Sequence, residues 1–157
     1  EGKSLWIVKS LPVATNDVLK AKLHLHIYVT VPAIVLASAA AVYVLIPSIL
    51  NIVAIIAAPV LFVMLTANIG LICNLKSPKF DWVNETQVIK QSMSVMLAML
   101  FSFLIVAVPG ALYFIVLGAN FSATLFLLAY TLLLGIGWLI SNTWIKTKGV
   151  NIFEGLN

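Results

Sequence analysis

Few residues in this chain have the chemistry for catalysis or ligation. His24 and His26 are its only histidines. A pair at a membrane boundary suits a proton relay or a pH sensor. Residues two apart on a helix, however, point to different faces, which suits interfacial polar groups. Asp81 and Glu85 stand four apart and would share a helix face, the spacing of a carboxylate pair for acid–base work. No histidine or nucleophile accompanies them, and their surroundings read as a charged face beside lipid headgroups. Cys73 is the single cysteine, so an internal disulfide is excluded, and its apolar neighbours mark it as a small buried hydrophobe. One cysteine and two distant histidines make no metal cluster.

Other motifs are absent or weak. No Gly-x-x-x-x-Gly-Lys-Ser/Thr loop occurs, so an ATPase would have to be another chain. Within the apolar runs Ser, Thr, Tyr and Asn68 are the polar groups on offer, and they form no nucleophile–base set. Neither an enzyme nor a cofactor is expected. Asn84-Glu85-Thr86 and Asn120-Phe121-Ser122 match glycosylation sequons, and both read as chance.

The elements that would position these groups follow from composition. The chain is 62% hydrophobic and 9% charged, against about 45–50% and about 25% in soluble domains. Its mean hydropathy is +1.13. A compact soluble fold of this length has too little interior for so much apolar surface, so lipid is the expected solvent. The net charge of +4 comes from nine lysines and five acids. These lysines form no dense run in the sequence and lie on no aromatic-studded polar face, so nucleic acid is not an expected partner.

Charge also divides the chain. No charged residue stands between Lys22 and Lys76, or between Lys90 and Lys146. A membrane-spanning helix takes about 20 apolar residues, so each block holds two spans and a turn. The predicted spans are 23–46, 49–73, 93–117 and 121–141. The first turn lies at Pro47-Ser48. The second lies at Gly118-Ala119-Asn120, with Pro109-Gly110 as a competing break that would leave a re-entrant piece. Pro32 and Pro59 fall inside spans, as lipid-embedded bundles tolerate. The segment 1–22, the loop 74–91 and the tail 142–157 then share one side, with every lysine and every acid. Loops rich in Lys collect on the cytoplasmic side. Trp6, Trp82 and Trp144 sit at that interface and Tyr43 near the opposite one. The small residues from Ala37 to Ala41, and Gly135 with Gly137, suit close helix packing. The absence of ionisable side chains deep in the spans argues against ion-coupled transport.

Residues 1–22 read as an amphipathic interfacial helix, a proline elbow and a helix start. Leu5, Trp6 and Val8 alternate with Lys3, Ser4, Lys9 and Ser10. Pro12 interrupts that helix. Thr15 or Asn16 is placed to cap the next one, with Asp17 near its positive end. An elbow fused to a membrane helix converts a push from outside the bilayer into helix tilt.

That order resembles the first intracellular loop of ABC-2-type transporter permeases, the membrane subunits of bacterial ABC transporters. The residues involved are Glu1-Gly2, an apolar helix, Leu11-Pro12-Val13, and Leu19-x-x-Lys22 before a span. Ala21-Lys22 stands where the family often has Gly-Lys. Pro78-Lys-Phe-Asp-Trp-Val-Asn-Glu85, Val88-Ile-Lys-Gln-Ser92 and Lys148-Gly-Val-Asn-Ile-Phe-Glu154 are similar to a large bacterial branch of the family. The resemblance implies an all-α polytopic membrane fold: four transmembrane helices plus an N-terminal amphipathic coupling helix. It would be the C-terminal part of a six-span unit in the bacterial plasma membrane. It implies a separate ABC ATPase subunit and a second permease copy or half as partners, with export as the usual direction. By position, Glu1, Leu5, Trp6, Leu11, Pro12 and Val13 become the ATPase-coupling contacts. A membrane scaffold or assembly subunit is the alternative the apolar spans also allow.

Overall fold

The computed structural model describes residues 9–78, 92–117 and 122–155. Among these every regular element is helical. Helix α1 runs Thr15–Leu45, α2 Ile49–Lys76, α3 Met93–Leu112 and α4 Ala123–Trp144. A wide π-type turn, Tyr113–Leu117, extends α3, and another, Ile145–Gly149, extends α4 into α5, Val150–Gly155. Four helices are therefore long and apolar enough to cross a membrane. At about 1.5 Å per residue, the 22 residues of α4 measure about 33 Å, close to the roughly 30 Å of a hydrocarbon core.

α2 is the central helix and packs against α1, α3 and α4. Its buried residues are mostly small or branched: Ala54, Ala58, Val63, Leu65, Ala67, Leu71, Cys73 and Leu75, with Asn68. Gly137 of α4 lies against Leu65, and Gly135 against Leu61. The glycines thus serve close helix approach, as expected. The Ala37–Ala41 run does so less: Ser38 is buried, while Ala37, Ala39 and Ala40 face outward.

The helix ends explain where the chain turns. α1 stops at Leu45 because Ile46 adopts a left-handed conformation, φ 43° and ψ 54°, with its N–H bonded to the Val42 carbonyl. A β-branched residue there costs about 1–2 kcal/mol, and Pro47 then prevents the helix from resuming. The Pro109-Gly110 break does not occur, since α3 runs through both residues. Proline lacks the N–H that would bond the carbonyl four residues back. That carbonyl belongs to Ile105, and the Tyr130 hydroxyl of α4 donates to it at 3.2 Å. The break fails because a neighbouring helix supplies the missing donor. The expected turn at 118–120 lies outside the described residues.

Two more expectations need correction. The helix after the elbow starts at Thr15, close to where it was expected, but its N-cap is Ala14, with no side-chain cap. Neither Thr15 nor Asn16 caps it. The tail is helical as far as Gly155 and packs on the bundle. The amphipathic helix expected in residues 1–22 gains no support. Residues 1–8 lie outside the described residues, Lys9 and Ser10 are helical, and from Thr15 onward the chain is the apolar helix α1.

Candidate functional site

The charged end of the bundle gathers the groups that remain of interest. Pro12 sits at the apex of a tight turn in which the Val13 N–H donates to the Leu11 carbonyl at 2.8 Å. Proline's fixed φ suits this three-residue γ-type turn. Ala14 is extended, and its carbonyl accepts from the Asp17 and Val18 amides to start α1. Leu11 and Val13 are each 52% exposed, so two apolar side chains project from a rigid corner. Of the six expected contact residues, Leu11, Pro12 and Val13 form this corner. Glu1, Leu5 and Trp6 lie outside the described residues.

The elbow is tied to the far end of the chain. Lys9 Nζ donates to the Glu154 carbonyl at 3.1 Å, and Thr15 Oγ1 donates to Glu154 Oε1 at 3.0 Å. Asp17 pairs with Lys20 at 3.1 Å. Such exposed polar contacts are worth little individually. Below them, Leu19, Leu71, Leu75, Ile145 and Phe153 form a buried apolar cluster joining α1, α2 and the C-terminal extension. Where this end meets water, burying each large side chain stabilises by about 1.5–3 kcal/mol, so the cluster dominates the hydrogen bonds. Gly149 packs the extension against Leu75, where a Cβ would make an ordinary contact at 3.4 Å from a Leu75 methyl. A cleft of about 230 Å³, lined by Lys9, Val13, Thr15, Val18, Phe153 and Glu154, separates elbow from tail. Ligand pockets usually run from about 300 Å³ upward, so this cleft suits a side chain better than a substrate.

Aromatic faces hold two cations at the same end. Lys22 lies over the Phe153 ring at 5.2 Å and Lys76 over the Trp144 ring at 5.3 Å. Trp144 closes α4 beside Lys76. His24 and His26 are both exposed, and His24 meets Tyr28 with ring centroids 6.0 Å apart. The Asp81–Glu85 pair, Trp6 and Trp82 lie outside the described residues.

Deeper in the bundle the polar groups serve packing. Asn68 is 2% exposed, and its Nδ2 donates to Ser141 Oγ at 2.9 Å and weakly to the Trp138 carbonyl at 3.5 Å. Ser141 donates in turn to the Trp138 carbonyl at 2.9 Å. This is an α2–α4 clamp without a titrating partner. Thr66, Ser102 and Thr131 donate back to carbonyls of their own helices. Among the described residues, no three His, Cys, Asp or Glu side chains form a metal site.

No known family model, curated protein or solved structure matches the chain.

Lys9, Thr15, Phe153 and Glu154 were not singled out as contact residues by the sequence. Their pairing spans almost the whole chain, and local patterns carry no trace of it. The one hint was an isolated acid in a basic tail.

Proposed function

We propose that this chain is the transmembrane permease subunit of an ATP-driven transporter of the ABC-2 type, most simply an exporter. Its charged end would face the cytoplasm of a bacterial cell, with a second permease copy or half beside it. A separate ATPase subunit would dock on the segment 1–22. The observation that carries this reading is the proline corner. Leu11 and Val13 project from a turn that continues directly into a membrane-length helix. A push on that corner tilts α1 as a rigid body. A second feature supports it: between Lys22 and Lys76, and again between Lys90 and Lys146, the only ionisable side chains of the acidic, basic or imidazole kind are His24 and His26 near the boundary. Energy would then have to come from outside the bilayer.

The test is ATP hydrolysis by the candidate ATPase subunit, reconstituted with the permease. Leu11→Asp should lower permease-dependent hydrolysis several-fold while membrane assembly stays intact. An unchanged rate would show that the elbow does not touch the motor.

A further inference from the structure

The sequence spreads its lysines thinly, yet the fold collects them. Lys20 and Lys22 come from α1, Lys76 from the end of α2, and Lys146 and Lys148 from the wide turn after α4. The opposite end, around Leu45–Ile49 and Tyr113–Leu117, carries no charge.

The two signs are layered. The 20 residues of α3 and the 22 of α4 each match the hydrocarbon thickness, and Trp144 closes α4. Lys76 lies over the Trp144 ring, and Lys146 and Lys148 follow it within one turn, all three exposed. The two described carboxylates, Asp17 and Glu154, stand farther out. Glu154 comes after Trp144 by roughly 15 Å of helix; its carboxylate accepts from Thr15, and its backbone carbonyl accepts from Lys9. Asp17 precedes Lys20 and Lys22 on α1 and is engaged by Lys20. Among the described residues, no acid is placed against Lys76, Lys146 or Lys148. Lys9 and Lys20 sit with the described acids, whereas Lys76, Lys146 and Lys148 are exposed at the end of the membrane-length helices with no described carboxylate against them.

We propose that Lys76, Lys146 and Lys148, around Trp144, form a binding surface for the headgroups of anionic phospholipids. The indole anchors at the interface, the ring face keeps the Lys76 ammonium at its depth, and Lys146 and Lys148, exposed on different sides of the turn, each offer an ammonium to neighbouring phosphates. Each lysine near an anionic surface raises local lipid occupancy by about fivefold. This proposal rests on the membrane-spanning helices and is independent of the transporter reading.

The test uses the chain with Trp6→Phe, Trp82→Phe and Trp138→Phe, leaving Trp144 as the only tryptophan. It is reconstituted in phosphatidylcholine vesicles containing the same mole fraction of brominated phosphatidylglycerol or brominated phosphatidylcholine. The anionic quencher should quench Trp144 several-fold more efficiently, and raised salt should weaken the preference. Lys76→Gln with Lys146→Gln and Lys148→Gln should abolish it, whereas Lys9→Gln should leave it intact. Equal quenching by the two lipids in the parent protein overturns the proposal before any lysine is changed. Loss of the preference on adding inorganic phosphate, but not sodium chloride of equal ionic strength, would mean that the site takes a soluble anion, and would overturn it as well.

Discussion

Helices α2 and α3 are almost equally apolar, yet they occupy opposite positions in the molecule. α2 is wrapped by three neighbours and buries a continuous stripe from Ala54 to Leu75. α3 touches the bundle along one edge, and Ser94 near its start is its one buried residue. Hydrophobicity does not separate them, because a lipid tail is as apolar as a leucine and exerts no force that favours protein neighbours. What each helix turns toward its neighbours separates them. α2 offers Ala54, Ala58, Ala67 and Asn68 to its partners. α3 turns Met96, Met99, Phe101, Phe103 and Val106 outward. In a membrane, close backbone approach and hydrogen bonds choose the neighbours.

The sharpest way to break this contrast is to fill the α2–α4 contact. A Cβ on Gly137 would lie 3.4 Å and 3.6 Å from the two Leu65 methyls. Alanine fits there, and leucine does not. Gly137→Leu should destabilise by about 1–3 kcal/mol through overpacking, while Gly137→Ala stays near neutral. Unfolding in mixed micelles by titrated dodecyl sulfate measures both. A harmless leucine would mean that α4 does not lie this close to α2.

The sequence made the four long helices and the uncharged turn at Pro47-Ser48 legible, because charge spacing and hydropathy act over windows as long as the elements themselves. It also favoured a third span running through Pro109, as α3 does, but it did not reveal what allows this. That outcome depends on Tyr130, more than twenty residues away, reaching the carbonyl that the proline leaves open. The elbow at Pro12 was legible for a local reason, proline's fixed φ. The partners of the elbow, Phe153 and Glu154, were not, since a contact between chain ends leaves no local period.

The Ile105–Tyr130 bond offers a smaller but more specific test of how α3 is held. Tyr130→Phe should cost about 0.6 kcal/mol, and up to about 1.7 if the carbonyl stays bare. Pro109→Ala restores an N–H to the helix. In that background the same tyrosine substitution should cost almost nothing, because the Ile105 carbonyl regains an intrahelical donor. A double-mutant cycle reads the difference directly. Equal costs in both backgrounds would show that the hydroxyl does not serve the open carbonyl.

The smallest effect belongs to the outer face of α3, where the contrast with α2 is starkest. Met99 is 69% exposed and touches no buried cluster. Met99→Ala should change stability by less than about 0.5 kcal/mol, since lipid covers either side chain equally well. Leu65→Ala on α2 removes contacts to α4 and should cost clearly more. Near-equal costs would mean that another protein surface, and not lipid, covers the outer face of α3 in the assembled state. A helix so apolar and so sparsely packed would then owe its place to that partner, and the bundle described here would be one part of a larger interface.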